Sequence, residues 1–283
     1  MKERQCGKNL AMHHIQMESR WAKLKGSKFE ALTVFLTLLL AAFVLAVLVC
    51  VVAHTTPEAL LESIASSEIQ FAIKLSLLTS IISTALAIII GIPIAYSLAR
   101  YNIPLKSLIN TLVDLPLALP PLVAGVGLLL FFTTPLGEAL EEVGFRFVFT
   151  PWGIVLAQFL VNVPFTIRVL RSTFESINPR YEYVAQTLGC SPMQAFLRVS
   201  LPMSKRGILA GSVITWSSAM GEFGAVLMLA GATRLRTETL PISIYLNMLC
   251  GDLDMAIAAS SILIFISFLS LFIFEKYSGG RAY

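Results

Sequence analysis

The sequence predicts an all-α integral membrane protein with six transmembrane helices and both termini on the cytoplasmic side. Three observations carry this prediction. The 283-residue chain is 56% hydrophobic and only 13% charged, with a mean hydropathy of +0.79. Soluble domains carry roughly 25% charged residues, so this chain lacks the charge to cover a water-soluble globule of its length. Its apolar residues gather in six runs, each near the ~20 residues that a helix needs to cross a bilayer. Its Lys and Arg residues fall almost entirely on one side of those runs. The same apolar content excludes a disordered chain.

The first run is about Ala31–Ala53. It is too long for the apolar part of a secretory signal and follows a hydrophilic leader, so it is expected to remain as a span. That leader, residues 1–29, sets Trp21 and Phe29 among basic residues. It is either an amphipathic helix on the anionic inner surface, over about Gln16–Phe29, or a tail that supplies positive charge. The second run is about Ile69–Ala99, interrupted by Lys74. The third covers about Leu108–Phe132, the fourth Trp152–Leu170, the fifth Ile208–Ala230 and the sixth Met255–Phe274. The six-span domain is thus 30–276, and 277–283 is a short cytoplasmic tail.

Seventeen of the 21 basic residues lie on the side of the termini. Seven are in the leader, and Arg100 and Lys106 join spans two and three. Arg168, Arg171, Arg180, Arg198, Lys205 and Arg206 surround the connection between spans four and five. Lys276 and Arg281 close the chain. The opposite side has only Arg146, Arg234 and Arg236. Cytoplasmic loops are the ones enriched in Lys and Arg. The chain is therefore expected in the plasma membrane, surrounded by lipid, with both ends inside. Three outer connections remain: Val52–Glu68, Thr133–Pro151 with room for a short helix, and Gly231–Asp254.

Several chemistries are missing. Four scattered cysteines do not make a disulfide framework, and Cys50 and Cys250, both near the outer face, read as free thiols. No phosphate-binding G-x-x-x-x-G-K-[ST] loop is present, since Gly7-Lys8 runs into Asn9. Adjacent His13 and His14 point about 100° apart on a helix and lack acidic or thiol companions, so no metal site is expected. No catalytic residue, bound cofactor or nucleic-acid partner is expected.

The informative segment is Asn178–Pro202, NPRYEYVAQTLGCSPMQAFLRVSLP, between spans four and five. Tyr181, Val184, Ala185 and Leu188 follow a helical period. Ala185 and Gly189, four apart, would put two small residues on one face for close approach of a neighbour. Cys190-Ser191-Pro192 ends that helix. A second begins with Ser191 as N-cap and Pro192 at its first position. The segment reads as a helix-turn-helix on the cytoplasmic membrane surface, about 175–203.

The pattern Ala185-x3-Gly189-x9-Val199-x-Leu201-Pro202 resembles the cytoplasmic signature of binding-protein-dependent ABC transporter permeases, Glu-Ala-Ala-x3-Gly-x9-Ile-x-Leu-Pro. Tyr183 stands at the Glu position and Val184 at the first Ala, while Glu182 is one residue early. The resemblance implies the type I ABC importer permease fold. It also implies that Glu182, Tyr183, Val184, Ala185, Leu188 and Gly189 form a coupling helix docking into a separate ATPase. Asp114–Gly125, DLPLALPPLVAG, and Gly221–Ala225, GEFGA, resemble oxyanion permeases, nearest the molybdate/tungstate branch with the sulfate branch close by. The implied partners are a second copy of the chain, two ATP-binding cassette subunits holding ATP and Mg, and an external substrate-binding protein. The implied cargo is a tetrahedral dianion. A passive channel or secondary transporter would leave the signature unexplained, and a membrane enzyme would need a constellation that is absent.

Pro116, Pro120 and Pro121 break span three, followed by Gly125 and Gly127. Such a break either lines a pathway or allows tight packing. Span five has Gly211, Ser212, Thr215, Ser217, Ser218, Gly221 and Gly224, a narrow hydroxyl-bearing face that serves either substrate passage or helix association. By resemblance, span five lines the pathway at the dimer axis. The pathway candidates are Pro120, Pro121, Gly125, Thr215, Ser217 and Ser218. Three charges within spans are read as structural: Lys74, Glu222 and Asp114. Glu222 is expected either to pair with Lys74, at similar depth, or to accept backbone donors near Gly224. Asp114 either faces Arg168 or Arg171 or snorkels to the interface.

Overall fold

The computed structural model describes residues 28–278. The leader before Lys28, with Trp21, His13 and His14, lies outside the described residues, as does the tail beyond Ser278. The described residues are helical and contain no strand. They fall into two units divided after His54.

The first unit contributes one helix, α1 (Lys28–Ala53). Its 26 residues rise about 39 Å, enough to cross the hydrocarbon core. It is apolar around its circumference, as a helix bathed in lipid must be. Its hydroxyls are satisfied locally: Thr33 and Thr37 donate to the carbonyls of Glu30 and Thr33 at 2.9 Å.

The second unit begins with α2 (Pro57–Ala65) and α3 (Ser67–Arg100). Thr56 and Ser66 cap them, each accepting an amide N–H at 3.2 Å. Next come α4 (Lys106–Ala118), α5 (Pro121–Phe132), α6 (Pro135–Glu142) and α7 (Pro151–Ser176). α8 (Arg180–Thr187) and α9 (Pro192–Ala195) form the helix-turn-helix. A π-helical turn, Phe196–Ser200, leads into α10 (Leu201–Met203), α11 (Lys205–Met220) and α12 (Gly224–Ala230). The chain ends with α13 (Leu240–Leu249) and α14 (Leu253–Ser278).

Among the described residues, α1, α3, α7 and α14 are each long and apolar enough to cross a membrane. Counting each of two bent helix pairs as one span brings the number to six. α4 and α5 meet at 111°, where Pro120 and Pro121 remove amide donors. The run through α11 meets α12 at 60° across Gly221–Phe223. Neither half of the first pair, 13 and 12 residues, would cross alone.

α3 and α7 pack along their length through small residues. Gly91 leaves room for Thr166 and Leu170, and Ala95 and Leu98 pack with Ile167, Leu170 and Phe174. A second core joins Ile154 and Ala157 of α7 to Ala225, Val226 and Leu229 of α12 and Ile242 of α13. By contrast, Leu78, Ile81 and Ile89 on the outer face of α3 are exposed, which lipid would cover.

The connection Gly231–Asp254 is more ordered than an outer loop. Thr237, Glu238 and Thr239 are buried, and α13 packs against α14 and α3. The Leu240 N–H donates to Ser76 Oγ at 2.8 Å, and Arg234 donates to Asn247 Oδ1 at 2.8 Å. At ten residues α13 is too short to span, and Pro241 in its first turn fits a helix start.

Candidate functional site

The two helices of the helix-turn-helix are stopped and started by identifiable residues. α8 ends at Thr187, because Gly189 adopts φ +95° and the Cys190 N–H turns back to the Ala185 carbonyl at 3.0 Å. This is a left-handed helix terminator of the kind glycine supplies without strain. The expectation that Ala185 and Gly189 share a helical face is therefore corrected. The helix stops before Gly189, and a Cβ there would meet nothing within 4 Å. Ser191 caps α9 reciprocally with Gln194: the Gln194 N–H reaches Ser191 Oγ at 3.3 Å, and the Ser191 N–H reaches Gln194 Oε1 at 2.9 Å. Pro202 cannot donate to the carbonyl four residues back. The preceding turn widens to π geometry, with the Leu201 N–H bonded to the Phe196 carbonyl.

The coupling candidates divide by direction. Tyr183, Val184 and Leu188 are exposed, and Leu188 is 81% so. Ala185 is half-buried. Glu182 points the other way and is buried. Its Oε1 accepts Arg100 Nε at 2.9 Å and Ser200 Oγ at 2.6 Å, and its Oε2 accepts Tyr96 OH at 2.8 Å. Arg100 is the last residue of α3, where a cation also suits the helix dipole. Its Nη2 donates to the Ile177 carbonyl beyond α7 at 2.8 Å. The Tyr96 ring packs edge-on to Phe174 at 5.5 Å and lies 4.6 Å from Phe196. Burial works against the Glu182 charge. The hydrogen bonds from Ser200, Tyr96 and Arg100, with the Arg100 charge, outweigh it and hold the carboxyl below its ordinary range.

The two broken spans meet at their breaks. A Cβ on Gly125 would lie 2.7 Å from Ala225 Cα and 2.8 Å from its carbonyl oxygen, so α5 crosses α12 backbone to backbone. Gly224 likewise faces Pro121 and Leu122. Glu222 sits in the second break. Its Oε1 accepts the Ala225 N–H at 3.1 Å. It thereby satisfies one of the donors at the start of α12. Lys74 makes no ion pair among the described residues and is exposed. Lys74 lies two residues from both Ala72 and Ser76, which are buried. Two residues are about 200° of turn, so equal depth does not give equal azimuth. The pairing of Glu222 with Lys74 is corrected accordingly.

Of the pathway candidates, Pro120, Pro121 and Ser218 are exposed, Ser217 is half-buried, and Gly125 and Thr215 are buried. Thr215 Oγ1 lies 2.8 Å from Thr166 Oγ1, and Gln158 Nε2 donates to the Ala219 carbonyl at 2.9 Å, so this side of α11 is a seam with α7. Asp114 accepts Arg168 Nη2 at 2.9 Å, beside a cavity of about 210 Å³ that Arg171 and Asn110 also line. Sequence reasoning missed Tyr96, Arg100 and Ser200. It also missed a buried hydroxyl row on α3, Ser76, Thr79, Ser80, Ser83 and Thr84. The row's spacing of three and one, on a helical period, was the available signal.

These features define a multi-pass helical membrane protein with broken spans and a fixed helix-turn-helix at one end, the build of a transport system's membrane subunit. Over residues 87–278 the chain matches the binding-protein-dependent transport system inner membrane component family, and it belongs to that family. It is 34% identical over 186 residues to the sulfate transport system permease protein CysT of Salmonella typhimurium, covering 65% of this chain and 67% of that protein. It is 38% identical over 184 residues to the molybdenum transport system permease protein ModB of Mycobacterium tuberculosis, covering 64% and 69%. Its fold resembles a chain in the crystal structure of a bacterial alginate ABC transporter in complex with an alginate pentasaccharide-bound periplasmic protein. The TM-score is 0.65 at 20% identity, covering 85% of this chain and 94% of that one.

Proposed function

We propose that this chain is the permease subunit of an ABC importer for a tetrahedral oxyanion, molybdate or tungstate before sulfate. The observation that carries the transport reading is the direction of α8: its apolar residues Tyr183, Val184 and Leu188 are turned outward while Glu182 is fastened inward. An exposed apolar patch fixed from behind is a docking face. The substrate class rests on the relatives named for molybdenum and sulfate transport.

In this reading two copies enclose one pathway, with both termini and the helix-turn-helix in the cytoplasm. An external binding protein delivers the anion. ATP and Mg bind two partner subunits, which take the outward faces of α8 in their grooves. Their approach on ATP binding moves α8, and the broken spans change their opening. The sulfate alternative is favoured by the 34% identity to CysT over a similar length.

Uptake decides between them. Vesicles holding this chain with its partner subunits and binding protein are expected to take up molybdate in an ATP-dependent way. A tenfold excess of tungstate should compete and sulfate should not. Competition by sulfate alone would move the assignment to the sulfate branch, and uptake without ATP would overturn the importer reading.

A further inference from the structure

The Glu182–Arg100 pair joins four elements. Arg100 ends α3, Ile177 follows α7, Glu182 lies in the first turn of α8, and Ser200 closes the π turn before α10 and α11. The Arg100 and Glu182 side chains are 8% and 7% exposed, so water does not compete for the pair. Every hydrogen-bond partner of the carboxylate among the described residues is a donor. A buried ion pair with its remaining valences met is stiff, because loosening either charge leaves the other uncompensated. Around it, Tyr96, Phe174 and Phe196 close an aromatic shell drawn from α3, α7 and the π turn.

We infer that Glu182 and Arg100 are positioning residues that clamp α8 to the ends of α3, α7 and α11, so that displacement of α8 moves these helices together. This rests on the reading of the chain as an ABC importer permease. The clamp explains why the helix carries its acid inward at position 182 and an exposed Tyr183 outward. One residue faces the load and its neighbour faces the lever. The π turn at Phe196–Ser200 contains Ser200 of the clamp, and such turns inside helices are frequent at functional sites.

The test reconstitutes the full complex, this chain with its ATPase and binding protein, and measures anion taken up per ATP hydrolysed. Glu182→Gln keeps the shape and removes the charge. Tyr96→Phe and Ser200→Ala each remove one hydrogen bond and keep the ion pair. Uptake per ATP is expected to fall about tenfold in Glu182→Gln and less, about two- to threefold, in the other two, which lose one hydrogen bond each and keep the ion pair. A role in folding alone would lower the amount of complex and leave the ratio unchanged. An unchanged ratio in assembled Glu182→Gln complex overturns the clamp. If that variant fails to assemble, unchanged ratios in both Tyr96→Phe and Ser200→Ala overturn it. Failure of the unaltered chain to associate with any ATPase overturns the importer reading itself, and the clamp with it.

Discussion

Two buried glutamates, Glu182 and Glu222, sit at helix starts and are satisfied in different ways. Glu182 takes donors from three side chains, two of them more than eighty residues away in sequence. Glu222 takes the backbone N–H of Ala225, three residues on. The first carboxylate ties distant elements together, and the second mends a break in its own span. A buried charge therefore does not have one meaning in this chain. What it does follows from whether its donors are local or remote.

The largest expected effect breaks the remote case. Glu182→Ala leaves Arg100 buried without its counter-charge and should cost about 3–5 kcal/mol. Thermal unfolding of the detergent-solubilised protein reads this as a fall in Tm. Pairing Glu182→Leu with Arg100→Met should recover part of the loss, since neither charge is then stranded. The pH dependence has a definite sign. The folded-state carboxyl titrates below its ordinary value of 4.5, so its contribution is present above that value and is lost as pH falls through the folded value. The stability gap between the unaltered protein and Glu182→Gln should stay constant through the neutral range and close only in acid.

An intermediate effect is expected where the two broken spans cross. Gly125→Val places a side chain against the Ala225 backbone, and backbone cannot swing aside as a side-chain end can. Overpacking of this kind costs about 1–3 kcal/mol. Gly127, two residues on, has nothing within 4 Å of a Cβ, so Gly127→Ala should be neutral or stabilise by about 0.5–1 kcal/mol through helix propensity. Equal losses at the two positions would show that the crossing does not hold the break together.

Legibility in the sequence also followed local against remote. The runs of apolar residues, the break at Pro120–Pro121 and the cap at Ser191 depend on neighbours within a few residues, and each is where local rules put it, whereas the 60° break at Gly221–Phe223 fell inside a run read as one unbroken span. The 111° angle between α4 and α5 was not legible, because prolines remove hydrogen bonds without fixing the direction the chain then takes. Nor was the role of Arg100. By sequence it is one more positive charge closing an apolar run, and only the packing of α3 on α7 brings it to Glu182. Gly189 was read by its spacing from Ala185 as a packing residue, whereas its backbone angle makes it a stop.

The smallest effect sharpens the comparison from the other side. If Glu222 is a local cap, removing its sequence-inferred partner should change nothing. Lys74→Met leaves every hydrogen bond of Glu222 in place and should fall within about 0.5 kcal/mol of the unaltered protein, the ordinary range for an exposed position. Glu222→Gln retains an acceptor oxygen for the Ala225 N–H and should lose no more than about 1 kcal/mol. Glu222→Leu leaves the buried Ala225 N–H without its acceptor and should lose about 1–3 kcal/mol. Both glutamine and leucine remove the charge, so charge alone cannot separate them. A cap predicts the order Lys74→Met, then Glu222→Gln, then Glu222→Leu. An ion pair predicts that Lys74→Met and Glu222→Gln lose the same amount. Equal losses above about 1 kcal/mol for those two variants would make Glu222 a second remote tie and erase its distinction from Glu182.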